Sequence, residues 1–144
     1  MHEKLAFLLD KVTNDVTIYA LSAAFLAHEL PDVNWLGFYL AADDGLILGP
    51  FQGLPACIHI PYGRGACGRV ANSKIPLIIG DVRKEANYIA CHAETRSELV
   101  LPIVKNGTLV AVLDIDSLSL NRFSKDDLFR LQACSEVIQK ALNH

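Results

Sequence analysis

Helical periodicity is confined to the two ends of this 144-residue chain, and the stretch between them is patterned as strands. Near the N-terminus, Leu5, Leu8, Leu9 and Val12 form one apolar stripe. Asp15 then stands where it can cap a second helix, which carries Ile18, Leu21, Phe25 and His28 at spacings of three and four and stops at Pro31. Near the C-terminus, Ser124 and Asp127 read as a capping box ahead of Leu128, Leu131, Ile138 and Leu142. In the middle, Asn106-Gly107 separates strand-like runs at 97–104 and 108–116. That dipeptide marks a hairpin, because a two-residue type I′ turn needs two residues tolerant of positive φ. Further strands are expected at 34–41, at 46–49 after Asp43-Asp44-Gly45, at 56–60 and at 76–79. Hairpin-linked strands with long helices only at the ends give an α+β fold. Its roughly six-stranded antiparallel sheet would carry the terminal helices on one face and leave the other for a pocket.

The chain is expected to form one domain over 1–144, with helices in 1–31, the sheet and its loops in 33–116 and a last helix in 124–143. A net charge of −3 supplies no basic stripe for nucleic acid, and no apolar run is long enough to span a membrane. The N-terminus lacks the pattern of a signal peptide, so the expected compartment is the cytoplasm. There the four cysteines should rest reduced, and a disulfide would serve chemistry rather than structure.

Two irregular stretches are long for such a domain. Residues 61–75 leave room for one helical turn, and 80–96 show no periodicity. Unstructured loops of ~12–15 residues or more in a small domain are usually functional or disordered. The second contains Tyr88, Ile89 and Cys91, which argues against disorder. Cys57 and Cys67 lie in Gly/Pro-rich loops upstream, whereas Cys134, within the C-terminal helix, reads as packing. No cysteine pair is C-x-x-C and no histidine stands at zinc-finger distance, so no metal is expected. His59, His92 and Arg96 are the cations that could lower a thiol pKa.

Strand parity places Asp114 and Asp116 on one side of their strand, and Trp35 and Tyr39 on one side of theirs. If Glu98 shares that face, the result is a cup with an aromatic wall and an acidic floor. A strand end turning polar as it reaches solvent explains the two aspartates equally well. Gly63-Arg64-Gly65-Ala66-Cys67-Gly68 spells G-x-G-x-x-G, but its neighbours look antiparallel and position 88 is Tyr rather than an acid, so a dinucleotide site is not expected. Its backbone N–H groups could still hold a small carboxylate. Thiols on loops beside acids on strands point to redox chemistry on a small polar molecule.

Several blocks resemble the free methionine-(R)-sulfoxide reductases, which are single GAF domains. They are Asn34-Trp35-Leu36-Gly37-Phe38-Tyr39, residues 48–57, residues 60–68, Ile89-Ala90-Cys91, Ser97-Glu98 and Leu113-Asp114-Ile115-Asp116-Ser117. The chain leaves the family pattern at 83–88 and at His92. The resemblance implies that Cys91 is the catalytic thiol, Cys57 the resolving one and Cys67 a third that can take part. It also implies that Glu98, Asp114 and Asp116 are the acids around the substrate, with Asp114 favoured as proton donor, and that Trp35 and Tyr39 form the aromatic wall. The implied cycle runs through a Cys91 sulfenic acid and a Cys91–Cys57 disulfide reset by a thioredoxin-type reductant, without a cofactor. A homodimer through the terminal helices would suit this domain type. The alternatives are a GAF module that senses a small ligand, or a thiol switch without turnover.

Overall fold

The computed structural model describes residues 1–144. Its elements follow the order α1 (His2–Leu9), α2 (Asp15–Glu29), β1 (Trp35–Ala41), β2 (Gly45–Gln52), β3 (His59–Pro61), α3 (Gly65–Ser73), β4 (Leu77–Ile79), β5 (Ser97–Lys105), β6 (Thr108–Ser117) and α4 (Lys125–Leu142). The strands form one six-stranded sheet in the order β3-β2-β1-β6-β5-β4, antiparallel throughout. The architecture is the expected α+β arrangement.

Alternation along the strands divides the interior in two. Leu36, Phe38, Leu99, Leu101, Ile103, Leu113 and Ile115 point to one face, where α1, α2 and α4 close over them. Trp35, Tyr39, Val100 and Val112 point to the other, where they meet α3 and the loops. A register slip of one residue would exchange these sets, so the apolar pattern itself pins the pairing.

Local signals explain most boundaries. Ser124 and Asp127 form the reciprocal capping box of α4. Asn106 and Gly107 both take positive φ, as the β5–β6 turn requires. At α2 the cap is Asn14, whose side chain accepts from the Thr17 N–H at 3.0 Å; Asp15, expected as the cap, is the first helical residue. There its carboxylate still favours the positive end of the helix dipole. The fully buried face of α2 is Ile18, Tyr19, Ser22, Ala23 and Leu26; of the expected 18-21-25-28 stripe, Ile18 is buried, Leu21 and Phe25 are half-buried against the same core, and His28 is exposed. Apolar residues stand nearly all round this helix, so spacing alone allowed two rotations.

Two elements exceed their expected lengths. β2 runs past Pro50, which has no N–H to give a ladder. It is tolerated there because β3 pairs only with Gly45, Leu46 and Ile47. The expected strand at 56–60 is correspondingly shorter and lies at His59–Pro61. α3 has nine residues rather than one turn. Its two glycines lower helix propensity, but Ala66, Cys67, Val70 and Ala71 are buried against the sheet, and that packing outweighs propensity. A Cβ on Gly68 would lie 2.6 Å from the Pro61 carbonyl oxygen, so the glycine is what lets α3 close on β3.

Candidate active site

The floor of the site is set by the register of three strands. Asp116 stands between Trp35 on β1 and Glu98 on β5; Asp114 stands between Gly37 and Val100. Asp114, Asp116 and Glu98 are therefore side by side on the face opposite the terminal helices. They are only 6 %, 7 % and 5 % exposed. One oxygen of each, Glu98 Oε1, Asp114 Oδ1 and Asp116 Oδ1, is buried without a hydrogen-bond partner. No arginine or lysine pairs with any of them. Buried acceptors left unpaired are costly, and a cluster of them marks a place made for something else.

Electrostatics follows from this crowding. Burial first, then the charges of Asp116 and Glu98, hold the Asp114 carboxyl well above the ordinary carboxylate range. Burial and the Glu98 charge raise Asp116 as well. Burial also raises Glu98, and the neighbouring Asp114 and Asp116 carboxyls partly counter it. The influences on Asp114 thus all favour its protonated form, whereas at Glu98 the aspartyl carboxyls oppose burial. Cys67, buried on α3 beside Asp114, is pushed well above the usual thiol range by burial and then by the three acids. It rests as a neutral thiol, not a thiolate.

Two loops bring the other thiols to this floor. Trp35 Nε1 donates to the Leu54 carbonyl and Tyr39 Oη to the Cys57 carbonyl, each at 3.0 Å, so the buried aromatics of β1 tether the loop carrying Cys57. The segment leading to Cys91 is latched onto α3: Arg69 bonds Glu85 at 2.9 Å, Asn87 Nδ2 donates to the Gly63 carbonyl at 3.1 Å, and Ile89 packs on Gly65. Cys57 and Cys91 are joined by a disulfide with Cα atoms 5.3 Å apart. Cys91, His92, Tyr88 and Ile89 roof a pocket whose walls are Tyr39, Ile60, Arg64, Gly65, Ala66 and Cys67 and whose floor is the three acids. With the disulfide closed it retains about 20 Å³, space for one water.

The expected site residues are distributed as follows. Cys67, Cys91, Glu98, Asp114, Asp116 and Tyr39 line the pocket. Cys57 reaches it through its bond to Cys91. Trp35 is buried behind the lining, stacked between Tyr39 and Phe51 with ring centroids 5.9 and 5.4 Å away. Of the three cations, only His92 reaches the pocket. His59 pairs with Asp44, and Arg96 donates to the Ala93 and Thr95 carbonyls. Tyr88 and Ile89 are additional roof residues; their apolar bodies inside an otherwise polar loop were the available signal. Cys67 Sγ and one oxygen each of Glu98 and Asp114 lie within 4.8 Å of one another, the only such donor set able to converge on a cation. No helix is long and apolar enough to cross a membrane.

A GAF domain family model matches residues 17–142. The protein YtsP of Bacillus subtilis is 48 % identical over 97 % of this chain and 87 % of its own length. The free methionine-R-sulfoxide reductase of Escherichia coli is 42 % identical over 90 % of this chain and 79 % of its own length. The reduced form of fRMsr from Staphylococcus aureus superposes with a TM-score of 0.95 at 39 % identity, covering 98 % of this chain and 92 % of that one. A complex of the same protein with its substrate superposes with a TM-score of 0.94 at 38 % identity, covering 98 % and 92 %. Taken with the convergence of Cys91, Cys57 and three buried acids on one pocket, these likenesses establish that the chain belongs to the GAF-domain family, within its free methionine-R-sulfoxide reductase branch.

Proposed function

We propose that this protein reduces free L-methionine (R)-S-oxide to L-methionine, with Cys91 as the attacking thiol. The observation that carries the reading is the Cys57–Cys91 disulfide over a closed pocket floored by three carboxyls, each with a buried oxygen left unpaired. Redox-active sulfur lies beside groups that bind an ammonium and supply a proton.

In the reduced enzyme the Cys91 thiolate attacks the sulfoxide sulfur. The S–O bond weakens as its oxygen takes a proton from Asp114, which the pocket keeps protonated. The Sγ–S bond formed in the attack then breaks as the hydroxyl passes from the substrate sulfur to Cys91 Sγ, leaving a sulfenic acid on Cys91 and releasing methionine. Glu98 and Asp116 receive the α-ammonium through charge-assisted hydrogen bonds, and the approaching cation draws Asp116 back to its anionic form. A methionine inside a polypeptide has no such ammonium, which restricts the substrate to the free amino acid. The N-terminal N–H groups of α3 at Gly65, Ala66 and Cys67 suit the α-carboxylate. Tyr39, backed by Trp35, faces the methyl–sulfur end, where aromatic contact with sulfur is favourable.

The Cys57 thiol then condenses with the sulfenic acid, expelling water and forming the disulfide. Cys67 is the reserve thiol. A dithiol protein of the thioredoxin type returns the enzyme to its reduced state, as befits a thiol-reducing cytoplasm. Because the closed pocket has space for one water, substrate entry follows separation of Cys91 from Cys57. The terminal helices leave Phe7 and Phe129 exposed, and a homodimer is proposed through that surface.

The test is methionine formation from the free sulfoxide with dithiothreitol or thioredoxin. Wild type should turn over and Cys91→Ser should release no methionine even in a single turnover. Binding without turnover would replace this reading by a sensor. Disulfide cycling with peroxide, and none with the sulfoxide, would replace it by a thiol switch.

A further inference from the structure

Resting on the proposed cycle, we infer that the surface formed by Leu54, Ile58 and Leu118 around the Cys57–Cys91 disulfide is where the reductant protein docks, with Cys57 as the sulfur it attacks. Three independent features meet here. Leu54 and Ile58, on either side of Cys57, are 70 % and 74 % exposed, and Leu118 is 52 % exposed. Between Leu54 and Leu118 lies a second recess of about 160 Å³, lined also by Asn34, Trp35, His92 and Glu94. It is separate from the acid-floored pocket, sharing only His92 with it. Among its lining residues, Asn34 Oδ1 and His92 Nε2 are buried without a partner, and His92 also borders the acid-floored pocket.

Each feature has a use in thiol exchange with a protein. A dithiol protein must bring its attacking sulfur to the disulfide and therefore lays an apolar surface around it. Exposed leucine and isoleucine beside the disulfide supply the complementary surface, and the recess has the volume for one apolar side chain. Asn34, whose Oδ1 has no partner in the free chain, can accept a backbone N–H of the docked protein. Small dithiols need none of this.

The orientation of exchange follows from which cysteine lines the catalytic pocket. Cys91 lines the acid-floored pocket and Cys57 does not. The partner thiolate attacks Cys57 Sγ, the Cys57–Cys91 bond breaks, and an intermolecular disulfide forms at Cys57 while Cys91 leaves as the thiolate. The partner's second thiol then attacks its own mixed-disulfide sulfur and Cys57 leaves with a proton. Two electrons pass from the dithiol to this chain. Cys91 is thereby released directly into the pocket where the next substrate binds.

The variant Leu54→Ser/Ile58→Ser/Leu118→Ser changes only exposed side chains that the catalytic pocket does not use. Methionine formation is measured with thioredoxin and, separately, with dithiothreitol. The expected result is a rise of at least tenfold in the KM for thioredoxin, with the dithiothreitol-supported rate within twofold of wild type. An unchanged KM for thioredoxin, or an equal loss with both reductants, would overturn the docking surface. A second measurement uses a thioredoxin whose resolving cysteine is Ser to trap the mixed disulfide; peptide mapping should find it on Cys57, and a trap on Cys91 would overturn the orientation. Turnover by wild type with dithiothreitol reads the underlying activity, so loss of the proposed function is distinguishable from loss of this interface.

Discussion

Glu98 and Asp116 are direct cross-strand partners on β5 and β6, two acids facing one another on a buried sheet face. Like charges so placed are destabilising in a sheet. The structure meets that cost by protonation, since Asp114 and Asp116 are both held well above their ordinary range, by burial first.

Stability should therefore depend on pH in a particular direction. A carboxyl whose folded pKa is raised binds its proton more tightly when folded, so its contribution is complete below the unfolded value near 3.8 and is lost as pH rises through the folded value. Asp114→Asn removes this loss. At pH 7 it should gain about 1 kcal/mol or more, seen as a Tm higher by roughly 2–4 °C, while turnover falls by at least about 100-fold. Melting curves from pH 4 to 9 should be flatter for the variant. Parallel Tm profiles in the two proteins would show that Asp114 carries no raised pKa.

Cys57 and Cys67 have unequal parts in the recycling step. Cys57→Ser should release about one methionine per enzyme and then recycle with thioredoxin at least tenfold more slowly, because the sulfenic acid on Cys91 has lost its partner. Cys67→Ser should recycle normally. Quenched single-turnover and steady-state assays separate the cases, and a Cys57→Ser enzyme with unchanged steady-state rate would move the resolving role to Cys67.

Gly68 joins α3 to β3 by its lack of a side chain. Gly68→Ala would bring a Cβ within 2.6 Å of the Pro61 backbone and force α3 off the sheet, at a cost of about 1–3 kcal/mol. Because α3 carries Cys67 and one pocket wall, the KM for sulfoxide should rise along with the loss of Tm. A variant with a lowered Tm and wild-type KM would mean that the wall does not depend on this contact.

Ser124→Ala provides the contrast. It removes the hydroxyl that accepts the Asp127 N–H at 3.1 Å in the α4 capping box, which is worth about 1 kcal/mol. α4 lies on the far face of the sheet from the pocket, so Tm should fall while kcat and KM stay within twofold. A matching loss of activity would show that the two faces are mechanically linked.

Much of the site was readable from short patterns. Parity put Asp114 and Asp116 on one strand face and Trp35 and Tyr39 on another, because side chains alternate with a fixed period of two. That these faces coincide, and that Glu98 joins them, depends on the register of β1 and β5 with β6, which no single strand encodes. Trp35 shows the limit most clearly. It was expected in the aromatic wall, but it stacks on Phe51 and holds Leu54 by its indole N–H, while Tyr88 from a patternless loop covers the pocket.

The sequence by itself determined the fold class, the hairpin at Asn106-Gly107, the capping of α4 and the inventory of thiols and acids. These depend on backbone preferences and side-chain chemistry within a few residues of one another. Only the tertiary structure decided that Asp114, Asp116 and Glu98 share one buried floor, that burial and these acids raise the Cys67 thiol, that Cys91 rather than Cys57 lines the pocket, and that an apolar recess lies beside the disulfide. Protonation and exposure are set by what surrounds a group in space, and here the surroundings come from strands and loops distant along the chain.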